Sequence, residues 1–547
     1  MKKVLISLVS VMLLFASCSD SFLTRNPAGE TMTEEQYEAL GSEKIPATLR
    51  GLYTMIYTMA SDDHDEFGQR SIDLWGDILS ADIAVTNKTY GWLYQDEQMN
   101  TVTGRTATIW SFYYQMIHNT NTTVASINSG SGNIMEKIAK YGYPSKAKDH
   151  NYTAEETNYA IYLAQALALR AYCYGNLVRW YTPVLESSYM SGYNIKTYKC
   201  VPLYTESNMD SPQGLSTSQE IYDQIFQDLT NAIALFVEFG AHYEKLNGAP
   251  YSRSSKLEVN VDVARGLLAY DYLNAAYYHR DIDPVTAKRY YRLAHKYAAD
   301  VINSGIYRII PNSQLTTTGF NDVSEPSWMW GQSVVTETAG GLKSWFGQCD
   351  IHSYSYAWAG DTKVLDDNLK NIIPLWDGRA LWFNDGSKNS KFKDCPDGKF
   401  FSAQCPTSTA ADDIDREWLS DNVLMRFESM YLIAAEACYF IDSTAASVAY
   451  LKDVCSQRLN PEYPDSSTEF ADYFGSLSGG DLYDAIQYNW RIEMWGEGYG
   501  LQTFRRLTGA KKRGGNHDYN PNVEINAADP YFNMNIPSSE ATYNPNI

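Results

Sequence analysis

The sequence predicts a mainly α protein in which paired helices build a scaffold that carries a large irregular, loop-rich half. Three observations predict it. In the stretch 159–183, Ala160, Ala164, Ala168, Ala171 and Gly175 recur every three or four residues, while Leu163, Leu167, Tyr174, Val178 and Tyr181 form a bulkier neighbouring stripe. The runs ALALRAYCYGNL, ARGLLAYDYLNAAY and MYLIAAEACYF share one alternation of small and aromatic residues. Between about 306 and 420 the helical period lapses, and this stretch holds seven of the thirteen Trp, which reads as ring-bearing loops rather than a further helical layer.

The chain begins with Lys2 and Lys3, an apolar run to Ala16, and small residues before Cys18. That pattern is a signal peptide over 1–17, too short to span a membrane. The sequence LLFASC resembles a lipobox, which makes Cys18 the lipidated mature N-terminus and 18–32 a tether. The formal charge of −21 argues against nucleic acid or another polyanion as the main partner. With 43 Tyr and 13 Trp, the rings exceed what a core alone calls for and point to recognition of something planar or sugar-like.

Residues 33–547 read as one domain, with helical scaffold over about 33–60, 106–305 and 426–507 and a recognition region over about 306–425. Trp110, Tyr113, Ile117 and Val124 mark one face of a helix at about 106–128; before it, from Arg70 onwards, periodicity lapses. The central helix at 159–183 is apolar almost all round, so it is a buried helix, and Pro183 stops it. A loop-rich link runs to about 216, and Ser218 is placed to N-cap the next helix. Helices follow at 261–280, 287–305 (closed by Gly305), 426–441, 448–460 and 482–507, and the Asn/Pro-rich tail reads as irregular coil. The helix hairpins resemble tetratricopeptide repeats with an irregular period and long inserts.

Cys173 and Cys438 lie in apolar helices and read as buried thiols, while Cys395 and Cys405 are close enough in a loop to pair. An odd seven cysteines after Cys18 argues against a full disulfide framework, and no CxxC spacing marks a zinc site. No metal or other cofactor is expected. Nucleophile-elbow, HExxH and P-loop motifs are absent. Glu493 and Glu497 share a helix face near Arg491, Arg505 and Arg506, which reads as salt bridging rather than a catalytic pair.

Taken together, the motifs resemble the SusD/RagB family of outer-membrane lipoproteins. The opening CSDSFLTRNPAGE, the stretch LALRAYCYGNLVRWYTPVLE, the run SMYLIAAEACY, the region 489–506 with Arg491, Glu493, Glu497, Gly498 and Arg506, and the ending IPSSEATYNPNI carry the likeness in order. Asn489 and Gly500 depart from the family pattern, which bears on an internal charge network. The resemblance implies four tetratricopeptide-like helix pairs with the irregular half mounted on them. It also implies a non-catalytic cell-surface lipoprotein, lipid-anchored in the outer membrane, that caps a SusC-like TonB-dependent transporter and captures a polysaccharide or oligosaccharide for import. Asp20 is similar to the surface-export signal of such lipoproteins.

Sugar rings present apolar faces edged by hydroxyls, so their sites combine flat aromatics with Asn, Asp, Gln or Arg. Two stretches meet that description. In NKTYGWLYQDEQMN, Tyr90, Trp92 and Tyr94 are spaced by two, which places all three rings on one face if the stretch is extended. The family often takes a stacking aromatic from a loop here, after a Gly-Asp element (Gly76-Asp77), so Trp92 is either a ligand contact or a packed loop anchor. In GGLKSWFGQCDIHSYSYAWAG the candidates are Trp345, Trp358, Tyr354 and Tyr356; Trp328 and Trp330 alternate as in a strand and read as structural, and Trp376 and Trp382 have no assigned place. Peptide capture by the same architecture, a surface glycoside hydrolase and a purely structural gate are the alternatives.

Overall fold

The computed structural model describes residues 40, 43–57, 63–98, 104–129, 133–184, 194–248, 255–318, 320–335, 338, 340–352, 354–387, 389–400 and 420–547. The expected signal peptide, Cys18 and its tether lie outside them, as does Cys405. In chain order the longer helices are α1 (Lys44–Met55), α2 (Gln69–Leu79), α3 (Thr106–Ser129), α4 (Ile134–Tyr141), α5 (Ala154–Tyr181), α6 (Ser218–Asn247), α7 (Val261–His279), α8 (Pro284–Ile302), α9 (Phe427–Phe440), α10 (Thr444–Cys455), α11 (Ser466–Ser476) and α12 (Gly479–Glu493). Strands β1 (Ile83–Val85), β2 (Lys199–Pro202), β3 (Leu215–Thr217), β4 (Trp328–Gln332), β5 (Lys363–Leu365), β6 (Asn422–Arg426), β7 (Ala510–Lys512) and β8 (Glu524–Asn526) pair two at a time, β1 with β5, β2 with β3, β4 with β6 and β7 with β8, all antiparallel.

The fold is mainly α, as the sequence predicts. The scaffold is a relay of neighbours: α3 packs on α5, α5 on α6, α6 on α7, α7 on α8, α8 on α9 and α9 on α10. Helix α5 begins at a capping box in which Thr153 and Glu156 satisfy each other's backbone N–H groups, and it ends as the chain turns extended at Thr182 before Pro183. Its small face works as a contact surface: a Cβ at Gly175 would sit 2.9 Å from Asp271 Oδ1 of α7, the carboxylate that pairs with Arg179. Cys173 and Cys438 are buried, and burial pushes the Cys438 thiol up to about 11. Trp328 and Trp330 of β4 are fully buried, and so are Trp376 and Trp382.

The structure corrects the sequence reading at four places. Helix α2 falls where the sequence reading finds no helical period: its polar stripe, Gln69, Arg70, Asp73 and Asp77, faces partners inside the protein rather than water, with Arg70 donating to Gly496 O and Asp77 accepting from the Gly498 and Gly500 N–H groups. The N-cap of α6 is Thr217, whose hydroxyl accepts from Glu220 N–H, and Ser218 is the first helical residue. The tail is not all coil: it holds β7, β8 and a helical turn at Ser538–Tyr543. The expected helix 482–507 is interrupted after Glu493, where Gly496 and Gly498 take φ of 74° and 84°.

That interruption has a physical purpose. It frees carbonyl groups to meet buried cations: Arg426 Nη2 donates to Glu493 O at 2.9 Å, Lys399 Nζ to Glu493 O and Trp495 O at 2.7 and 2.8 Å, and Arg70 Nη2 to Gly496 O at 2.8 Å. Glu493 itself accepts from Arg379, Arg426 and Arg458, and Glu497 from Arg426 and Lys399. Salt bridging at Glu493 and Glu497 is therefore correct, but its partners come from elsewhere in the chain. Arg491 pairs with Asp82, Arg505 donates to the carbonyls of Arg179 and Thr182, and Arg506 pairs with Glu436. One family departure sits inside this network, Asn489 Oδ1 accepting from Arg379; the other, Gly500, lies beside it and donates its N–H to Asp77. Burial would push the Glu493 carboxyl up, but Arg458, Arg426 and Arg379 outweigh it and hold it well below the usual range.

Candidate functional site

The candidate residues meet because of one short strand pair. Antiparallel β1 and β5 set Val85 opposite Lys363, and Thr86 N–H donates to Thr362 O at 3.2 Å. The chain leaving β1 therefore runs beside the chain entering β5, and residues 90–92 arrive against 354–358. The Tyr90 and Tyr356 rings lie 5.0 Å apart, edge to face at 77°. His64 stacks on Trp92 at 5.5 Å and 15°, and its Nδ1 is 2.5 Å from the Tyr356 hydroxyl. Tyr354 and Trp358 lie 5.6 Å apart, with Lys391 Nζ 5.4 Å from the Trp358 ring centre.

Exposure separates the display from its support. Tyr90 is 49% exposed and Tyr354 40%, and Trp92 and Trp358 are half-buried. Tyr356, 8% exposed, is the keystone below them; burial raises its phenol, against a hydrogen bond with the Trp92 side chain that lowers it. Two sequence candidates fall outside this surface. Tyr94 does not share a face with Tyr90 and Trp92, because the chain turns helical at Tyr94–Glu97 and sends its ring to Tyr519. Trp345 is 2% exposed, 4.9 Å from the Phe400 ring and under the Arg70 guanidinium, so it belongs to the core. Gly496 makes room for it: a Cβ there would meet Phe400 at 2.7 Å and Trp345 at 3.0 Å.

Beside the rings opens a cavity of about 430 Å³, lined by Asp63, Asp65, Glu66, Tyr90, Trp92, Gln95 and Arg105. Arg105 fixes it in place. The guanidinium pairs with Asp65 at 2.5 Å and Asp96 at 2.7 Å, lies over the Trp75 ring, and donates to Trp92 O at 3.2 Å. Burial raises the Asp65 carboxyl, and Arg105 counters it. His64 and Arg105 went unread in the sequence, since their roles depend on partners distant in the chain. Flat rings edged by carboxylates and an amide suit a ligand with apolar faces and hydroxyl edges.

A family model described as "Starch-binding associating with outer membrane" matches residues 22–265, and the SusD family model matches residues 344–546. This chain belongs to the SusD/RagB family. Among solved structures, this SusD/RagB protein is similar in fold to a SusD-like carbohydrate binding protein from Bacteroides vulgatus, with 19% identity, 92% of this chain and 97% of that one covered, and a TM-score of 0.65. A second relative in fold is a putative sugar binding protein from Bacteroides vulgatus, with 20% identity, 92% and 97% coverage, and a TM-score of 0.64. A third is surface glycan-binding protein A from Bacteroides thetaiotaomicron, solved in complex with laminarihexaose, with 13% identity, 92% and 98% coverage, and a TM-score of 0.58. No curated protein matches the chain. No helix of this SusD/RagB chain is long and apolar enough, among the described residues, to cross a membrane.

Proposed function

We propose that this SusD/RagB protein is a non-catalytic, lipid-anchored glycan-binding protein of the outer cell surface that passes its ligand to a TonB-dependent transporter. The observation that carries the reading is the aromatic surface of Tyr90, Trp92, Tyr354 and Trp358, supported by His64 and Tyr356 and bordered by the Asp63 and Glu66 carboxylates. Rings stack on the apolar faces of pyranoses, and the carboxylates accept from their hydroxyls. The ligand is a neutral polysaccharide, because a polyanion would meet Asp63, Asp65 and Glu66 in the cavity. The complex of the fold relative with laminarihexaose supports the same class of ligand.

The test is calorimetry of the mature protein lacking Cys18 against neutral and acidic polysaccharides and peptide mixtures, with a product assay on the same samples. Saturable binding to a neutral polysaccharide, without short products and lost in the Tyr90→Ala/Trp92→Ala protein, is the expected result. Binding to peptides alone would overturn it in favour of peptide capture, and release of oligosaccharides in favour of a hydrolase. Co-purification with an outer-membrane transporter through the anchored protein tests the delivery step.

A further inference from the structure

Helix α3 carries a second row of side chains beyond the Arg105 end. Trp110, Tyr114, Ile117, His118 and Asn121 follow at steps of one to four on one face and line a cavity of about 440 Å³. The 203–212 segment and the Ser538–Tyr543 turn close its other sides. None of its lining residues takes part in the Tyr90 and Trp92 surface.

The walls are rings and they are pinned. Trp110 and Tyr114 lie 4.8 Å apart, and Tyr204 stands edge-on to Tyr114 at 5.9 Å. The Tyr114 hydroxyl donates to Pro202 O at 2.7 Å, and Asn544 Nδ2 donates to Gln213 O and Glu540 Oε1, both at 2.9 Å. At the rim, Tyr543 is 83% exposed.

One group in this wall is left without a partner. Asn121 is fully buried, and its Oδ1 accepts from Arg170 Nη1 at 2.9 Å, which fixes the amide's orientation. Its Nδ2 has no hydrogen-bond partner among the described residues. A buried amide N–H without an acceptor is costly, and an acceptor entering the cavity would relieve it. Asp210 and Glu540 also line the cavity, and among the described residues no Lys or Arg does, so a carboxylated or sulfated ligand is disfavoured.

We propose that this cavity is a second sugar site, which takes a neutral mono- or disaccharide with a ring against Trp110 and Tyr114 and a hydroxyl oxygen accepting from Asn121 Nδ2. Its size lies within the range of small-ligand pockets. It rests on different residues from the proposed glycan surface and stands whether or not that surface binds.

Saturation-transfer NMR on the full mature chain tests this, with glucose, N-acetylglucosamine, cellobiose and laminaribiose as probes and Tyr90→Ala/Trp92→Ala as the background. At least one probe gives saturable transfer there. Adding Ser211→Trp, an exposed residue at the cavity, weakens it about tenfold or more, as does Asn121→Asp, which retains an acceptor for Arg170 but loses the donor. Absence of saturable transfer from all four sugars, or transfer unaffected by Ser211→Trp, overturns the proposal. Failure of the first surface reads differently: polysaccharide binding would then be equal in the wild type and in Tyr90→Ala/Trp92→Ala, whatever Ser211→Trp does.

Discussion

The Tyr90 ring stands edge-on to the Tyr356 ring at 5.0 Å, although one follows β1 and the other precedes β5. This contact turns two aromatic-rich stretches into one surface. It exists because β1 and β5 are antiparallel, so the segments that extend beyond the pair on one side are neighbours.

Trp92→Ala is expected to weaken polysaccharide binding by about 2 kcal/mol, roughly thirty-fold in Kd, as for a stacking anchor. The side chain is half-buried in a loop, so the far-UV circular dichroism spectrum should be unchanged. Unaltered calorimetric affinity would remove Trp92 from the site.

Trp345→Ala acts differently. Its ring fills the core against Phe400 and Arg70, so truncation leaves a cavity and costs about 3–5 kcal/mol of stability. Urea denaturation reads this as a lowered midpoint, and affinity measured below the transition should be retained. A wild-type midpoint would show that the ring contributes no packing.

Arg105→Lys preserves a positive charge but not the fork that spans Asp65, Asp96 and the Trp92 carbonyl. Stability is expected to fall by about 1–3 kcal/mol as a buried charged hydrogen bond is lost. Affinity should fall as well, because the Trp92 backbone is no longer held. Loss of stability with unchanged affinity would restrict Arg105 to a structural role.

Glu493→Gln removes the charge shared by Arg379, Arg426 and Arg458 and is expected to cost about 3–5 kcal/mol, as for other broken buried pairs. Chemical denaturation measures it. Ligand affinity should be the same as in wild type; release of glycan products by the wild type that Glu493→Gln abolishes would instead make Glu493 catalytic.

His279 gives a pH dependence. Burial, with Lys196 nearby, lowers its imidazole to about 4, while Nε2 faces Gln219 Oε1 at 2.8 Å. As pH falls, the unfolded chain takes up the proton first, near its ordinary value of 6.5. The stability from neutral His279 is thus complete above that value and is lost as pH falls towards about 4. Urea midpoints at about pH 7 and about pH 4.5 should differ less in His279→Gln than in wild type. An equal drop in both would rule His279 out as the titrating group.

The sequence by itself determined the three helices of the scaffold that carry its clearest periods, α5, α7 and α9. Small-residue spacing in α5 and the small–aromatic alternation in α7 and α9 are local periodic signals, and each helix formed within a few residues of its expected bounds. The ordered motifs likewise sufficed for the family. Local signals failed where burial was complete or where geometry was set by distant partners. The polar face of helix α2 is itself buried against distant partners, and the break after Glu493 is set by cations from Arg70, Lys399 and Arg426. Composition located Tyr90, Trp92, Tyr354, Tyr356 and Trp358 as candidates, but spacing could not show that Tyr94 turns away or that Trp345 sinks into the core. Only the tertiary structure decided which rings face outward, because a ring's exposure depends on what packs beneath it, and here that is His64, Arg70 and Phe400 from three separate parts of the chain.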